Sequence, residues 1–128
     1  MKKEIFIIDD DPIYTMIVSM MINDIDASLP INECKNGEIG LEKLEKIKNA
    51  KHEVIVLLDI NMPVLNGWNF LETIEKHDFY KLPQLLIVMV SSSVDESDIL
   101  RSQQYKSVSS FYHKPLEKKD LKTILGLD

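Results

Sequence analysis

Apolar residues along this chain recur in two alternating patterns. Short runs rich in aliphatic and aromatic side chains stand at KEIFII (3–8), INEC (31–34), EVIVLL (53–58), QLLIVMV (84–90) and SSFYH (109–113). The third and fourth are nearly unbroken, as strands read when helices cover both faces of their sheet. Between the runs the apolar spacing lengthens to a helical period. Pro12 suits a first helical turn, and Ile13, Ile17, Met20 and Met21 come after it as one apolar stripe. Residues 38–49 set Ile39, Leu44 and Ile47 among Glu and Lys, and residues 67–77 carry Phe70, Leu71 and Ile74. Residues 95–105 form a more polar helix with Ile99 and Leu100, and residues 117–126 carry Leu121, Ile124 and Leu125. Five strand–helix pairs in strict order predict an α/β fold: one doubly wound domain on a five-stranded parallel sheet with right-handed crossovers.

Composition agrees with one such domain. The chain has 128 residues, 45% of them hydrophobic and 28% charged, enough for a core and a well-solvated surface. Its longest apolar runs fall far short of the roughly 20 residues that span a bilayer. The start, MKKEIF, is too short in apolar residues for a signal peptide, so a cytoplasmic protein away from membranes is expected. The net charge of −6 argues against a phosphate-backbone footprint, so no nucleic-acid partner is expected. The single cysteine, Cys34, allows no internal disulfide and reads as a small buried hydrophobe.

In a doubly wound sheet the ligand sits outside the carboxyl ends of the strands. The residues just past each strand are therefore informative: Asp9, Asp10 and Asp11 after the first, Asp59 after the third, Ser91 after the fourth and Lys114 after the fifth. Two carboxylates ~4 Å apart repel by roughly 4 kcal/mol at an effective dielectric of about 20, so something must offset the charge. A hard divalent cation between Asp9, Asp10 and Asp59 does so, and Mg2+ favours such oxygen ligands. Carboxylates, a divalent cation, an ammonium and a hydroxyl at one rim suit phosphoryl transfer. A carboxylate can itself be the nucleophile and form an acyl phosphate. Asp59 is the best candidate, because it stands alone at the end of the most apolar strand.

The motifs IIDDDP, LLDINMPVLNG, VMVSSS and FYHKPL, in this order, resemble the response-regulator receiver domains of two-component signalling, in particular the chemotaxis-like receivers. The resemblance covers essentially the whole chain and implies a flavodoxin-like receiver fold. By it, Asp59 resembles the phosphoacceptor, Asp10 the direct Mg2+ (or Mn2+) ligand and Asp9 a ligand acting mainly through water. Asn61 resembles the position that lends a backbone carbonyl to the metal, Ser91 the switch hydroxyl and Lys114 the lysine that pairs with the phosphate. Phe111 resembles the rotameric switch aromatic, and the Lys114–Pro115 peptide is expected to be cis. Two positions depart from the common pattern: Asn66 precedes Gly67 where Asp is usual, and Phe111 lacks the hydroxyl of the chemotaxis receivers' tyrosine.

Several features carry plainer readings. An acidic triplet at a helix N-terminus offsets the dipole and caps the helix, and Asp11 is expected to do only that. Ser93 or Asp95 is expected to cap the next helix. His52, His77 and His113 lack metal-ligand spacing, the Lys-rich stretch EKLEKIKNAKH reads as a solvated helix face, and Trp68 and the methionines read as packing.

The expectation is thus a stand-alone receiver over residues 1–128, without an output domain, that is a signalling protein rather than an enzyme. Its implied partners are a sensor histidine kinase or histidine phosphotransfer protein, and a downstream protein on the face of the fourth helix, fifth strand and fifth helix. Two rivals remain at this point. One is a haloacid-dehalogenase-like phosphatase with Asp9 as nucleophile and Asp11 as acid/base, although serines 91–93 rather than the acidic pair that family requires stand directly at the end of the fourth strand. The other is a pseudo-receiver that binds partners without phosphorylation, against which the complete set of Asp9, Asp10, Asp59, Ser91 and Lys114 speaks.

Overall fold

The computed structural model describes residues 3–62, 64–77, 84–92 and 95–127. Strands and helices alternate as β1 (Lys3–Ile8), α1 (Pro12–Ile25), β2 (Ile31–Cys34), α2 (Gly37–Lys46), β3 (Glu53–Asp59), α3 (Gly67–Lys76), β4 (Leu85–Ser91), α4 (Glu96–Ser102), β5 (Val108–His113) and α5 (Lys118–Ile124). All strands are parallel, in the order β2-β1-β3-β4-β5. This is the doubly wound architecture that the alternation predicts. The sheet winds outward in both directions from the β1–β3 pair, so the crevice for a ligand opens above Asp9 and Asp59.

Strand alternation divides the core into two layers. Phe6, Ile8, Val54, Val56, Leu58, Ile87 and Met89 face Leu44 of α2 and Phe70, Leu71 and Ile74 of α3. Ile5, Ile7, Ile55, Leu57, Val88 and Val90 face Val18 and Ile22 of α1 and Leu121 and Ile124 of α5. β3 is buried from Val54 to Asp59, which explains its unbroken apolar reading. Cys34 is buried, and its burial pushes the thiol pKa up. Among the described residues no helix is long and apolar enough to cross a membrane.

Helix ends obey local chemistry. The Asp11 carboxylate caps α1 by accepting from the backbone N–H groups of Ile13 at 3.0 Å and Tyr14 at 3.2 Å. Asn36 and Asn66 cap α2 and α3 in the same way, each accepting at 2.9 Å. Asp95 caps α4; Ser93, the other expected cap, lies outside the described residues. His52 is held by Glu4 at 2.8 Å.

One expectation fails. Most of the stripe read on α1 turns away from the core: Ile13, Ile17 and Met20 are 65%, 48% and 59% exposed, Met16 beside them is 53% exposed, and of the four stripe residues Met21 packs against the core. The buried face is Thr15, Val18 and Ile22, flanked by Tyr14, Met21 and Ile25. This helix is apolar on two sides, so periodicity alone cannot choose between them. The reading of the methionines as packing therefore holds for Met62 and Met89 but not for Met16 and Met20. Trp68 is buried, stacked on Tyr105 at 5.8 Å with the Arg101 guanidinium 4.4 Å from its ring centre.

Candidate functional site

Strand register assembles the site. Ile8 of β1 pairs with Leu58 of β3, so the next residues, Asp9 and Asp59, stand side by side at the rim. Asp59 pairs with Val90 of β4, which puts Ser91 one step beyond. Ser91 in turn pairs with His113 of β5, and the Lys114 N–H donates to the Ser91 carbonyl at 2.8 Å. Four segments distant in sequence thus end within one small volume.

Asp9 and Asp59 are buried, at 4% and 6% exposure, whereas Asp10 is exposed. Carboxylate oxygens of all three lie within 4.8 Å of one another. Asp9 is firmly held: its Oδ1 accepts from the Asp11 N–H at 2.9 Å and its Oδ2 from the Lys114 ammonium at 2.6 Å. The same ammonium lies 3.7 Å from Asp59 Oδ1 and 4.2 Å from the centre of the Tyr14 ring. One ammonium therefore serves two buried carboxylates.

Asp59 bears the cost. Burial first, then the charge of Asp9, push its pKa up to about 6; Lys114 opposes them, Asp10 adds to the rise and a backbone hydrogen bond from Asn61 lowers it. Tyr14 is affected too: burial, then the Asp9 and Asp59 charges, push its phenol well above the usual range. A pocket of three carboxylates with oxygen donors only and one nearby cation is the donor set that a hard divalent ion fits.

The loop after β3 keeps Asp59 in place. Gly67 opens α3 directly against it: a Cβ there would fall 2.6 Å from the Asp59 carbonyl oxygen and 2.9 Å from Ile60 Cα. No side chain fits, and the Gly67 N–H donates to the Ile60 carbonyl at 2.8 Å. In the same loop Val64 has φ 69°, a left-handed conformation that is strained for a β-branched residue.

The remaining expected residues have definite places. Ser91 is fully buried at the end of β4. Asn61 is exposed beside Asp59. The Lys114–Pro115 peptide is cis. Phe111 is half-buried, pairs with Met89, packs on the α2–α3 side of the core and sits edge-on to His113 at 5.7 Å. Asp11, which the phosphatase reading would need as acid/base, spends its carboxylate on the helix cap.

The response regulator receiver domain family matches residues 5–126. The chain belongs to that family. Among curated relatives of this receiver, the nitrate/nitrite response regulator NarL of Escherichia coli K12 is 31% identical over 117 residues, 91% of the chain and 50% of NarL. The two-component response regulator ORR26 of rice is 28% identical over 120 residues, 94% of the chain and 19% of that protein. The receiver thus spans half or less of the length of these two relatives. A two-component response regulator from Cytophaga hutchinsonii has the same fold, with a TM-score of 0.87 and 25% identity over 98% of this chain and 95% of that one. Nothing in these likenesses favours the phosphatase or the pseudo-receiver.

Two features of the site escape a reading of the sequence alone. Tyr14 carries no motif, although side chains in a first helical turn lean back toward the N-terminus, here toward the strand ends. The apolar stripe of α1 is visible in the sequence, but its spacing equally suits a core-facing side.

Proposed function

We propose that this receiver takes a phosphoryl group from a phosphohistidine onto Asp59. The Asp59 carboxylate attacks phosphorus in line; the P–N bond breaks, a P–O bond forms, and the imidazole nitrogen keeps the electron pair. The carboxyls of Asp9, Asp10 and Asp59, with the backbone carbonyl of Asn61, would hold Mg2+ (or Mn2+). That ion would supply charge neutralisation for the phosphoryl oxygens. Lys114 turns from Asp59 to the incoming phosphoryl oxygens, and the hydroxyl of Ser91 donates to another. Asp59, with a pKa of about 6, is ionised at neutral pH and ready to attack.

The observation that carries this reading is the clustering of three carboxylates within 4.8 Å, with Lys114 Nζ 2.6 Å from Asp9 and 3.7 Å from Asp59. A monoester phosphate adds a charge of about −1.5 to −2 at neutral pH. That charge draws Ser91 inward, Phe111 moves with it, and the face of α4, β5 and α5 changes shape for a downstream protein. On this reading the domain signals and turns over no external substrate, apart from its own phosphorylation and dephosphorylation.

The donor is a sensor histidine kinase or a histidine phosphotransfer protein. The exposed Ile13, Met16, Ile17 and Met20 on α1 support a helical protein donor. They recur at the spacing of one helix face and begin one turn from Asp10, so an apolar helix docked there brings its histidine to the rim.

Intact-mass measurement after incubation with acetyl phosphate and Mg2+ tests the chemistry. Wild type is expected to gain one phosphoryl group and Asp59→Asn none. Equal gain in both overturns the assignment of Asp59.

A further inference from the structure

The Tyr14 ring is a third neighbour of the Lys114 ammonium, beside the carboxylates of Asp9 and Asp59. The ammonium lies 4.2 Å from the ring centre, 2.6 Å from Asp9 Oδ2 and 3.7 Å from Asp59 Oδ1. The contact at 2.6 Å is a hydrogen bond, and the one at 3.7 Å is too long for one. The ammonium is thus hydrogen-bonded to Asp9 while staying within ion-pair distance of Asp59, with the ring as its third neighbour. The face of an aromatic ring attracts a cation through its quadrupole, and more strongly when water is kept out. Lys114 retains only 18% side-chain exposure, so little water competes.

We infer that Tyr14 is a positioning residue for phosphoryl transfer, its ring holding the Lys114 ammonium between Asp9 and Asp59; this rests on the reading of Asp59 as the phosphoacceptor. A ring suits this task better than a further carboxylate. It attracts the cation without fixing an N–H in direction, so donors remain for the arriving phosphoryl oxygens. It also adds no negative charge to a pocket that already holds three carboxylates.

The Tyr14 hydroxyl does not explain the residue. It is buried and finds no hydrogen-bond partner among the described residues, which for a hydroxyl costs about 1–3 kcal/mol. It is the aromatic face that meets the ammonium, and phenylalanine should serve there.

The test replaces Tyr14 by Phe, by Leu and by ring-fluorinated phenylalanines of nearly constant size but falling cation affinity. The rate of phosphorylation by acetyl phosphate with Mg2+ is tracked by intact mass. Tyr14→Phe should stay within about twofold of wild type, and Tyr14→Leu should fall about tenfold. The fluorinated series should decline in steps with increasing fluorination. In a Lys114→Gln background the same ring changes should make no difference, because the cation they act on is gone. NMR gives a second readout: the Lys114 ε-methylene protons should be shifted upfield by the ring in wild type and Tyr14→Phe, and lose that shift in Tyr14→Leu. A flat fluorination series, or ring effects of equal size without Lys114, reduces Tyr14 to packing and overturns the inference, even if Tyr14→Leu folds poorly. An absent upfield shift overturns it as well. A wild-type chain that takes up no phosphoryl group overturns the phosphoacceptor reading, and this inference with it. A wild type that does, matched in rate by Tyr14→Leu, overturns this inference alone.

Discussion

The two ends of the sheet treat charge in opposite ways. At the amino ends of the strands, Glu4 accepts from His52 at 2.8 Å and from Asn32 at 2.7 Å, and Lys3 stands 4.0 Å from Glu53. These groups are partly open to water and each acid has its own partner. At the carboxyl ends, Asp9, Asp10 and Asp59 crowd within 4.8 Å, and Lys114 is the cation between the two buried ones. A surface pair can be satisfied where it stands. A buried acidic cluster with too little positive charge is kept only at a cost in stability, and on the proposed function that imbalance is what a cation and a phosphoryl group use.

The sharpest probe of the contrast is Mg2+ itself. At a hundredfold excess over its dissociation constant, a ligand bound only by the folded state adds about 2.7 kcal/mol, read as a rise in Tm. Metal binding needs the carboxylates deprotonated, so the gain should be full above the Asp59 pKa of about 6 and shrink as pH falls through it. A Tm that ignores Mg2+ at pH 7.5 would dissolve the proposed difference between the two ends.

Removing the cation should hurt next most. Lys114→Ala leaves Asp9, at 2% side-chain exposure, buried without its ammonium. The expected loss is on the order of 2 kcal/mol by urea denaturation, below the figure for a fully buried pair because Lys114 keeps some contact with water.

Removing a charge should do the reverse. The folded-state pKa of Asp59 is raised, so the folded protein binds a proton that the unfolded chain releases between its ordinary value near 3.8 and about 6. Stability therefore falls as pH rises through that window and stays lower above it. Asp59→Asn escapes the loss, so it should be more stable than wild type by on the order of 1 kcal/mol at pH 7.5 without Mg2+. The advantage should fade toward pH 4. A variant less stable than wild type at pH 7.5 would mean that Asp59 is already compensated.

The smallest effect belongs to the other end. His52→Ala is expected to change stability by less than about 1 kcal/mol, as for exposed pairs generally, and to leave the Mg2+ response unaltered. A larger loss would show that the amino end, too, stores charge under strain.

How far the sequence can be read depends on whether a residue's role is set locally. Asp11, Asn36, Asn66 and Asp95 cap helices as short polar residues before helical runs should, because the N–H groups they serve lie two or three residues away. The acids, serine and lysine at the strand ends are legible from position alone, since a parallel sheet brings all its carboxyl ends to one rim. Strand limits differ by a residue: Asp59 and Ser91 lie inside β3 and β4, where the last ladder contacts form. The α1 stripe misleads because both sides of that helix are apolar.

What the sequence by itself determined is the alternation of periods, and with it the winding of the fold and the rim on which its acids meet. Each depends on backbone hydrogen bonding and on burial averaged over many residues, so a local pattern suffices. The tertiary structure alone decided which side of α1 is left to solvent, how strongly Asp59 resists ionisation, and that the Tyr14 ring faces the Lys114 ammonium. Those outcomes turn on the direction and separation of single side chains 100 or so residues apart in Tyr14 and Lys114. Attraction between charges, and between a cation and a ring, changes over an ångström or two, a scale on which residue spacing carries no information.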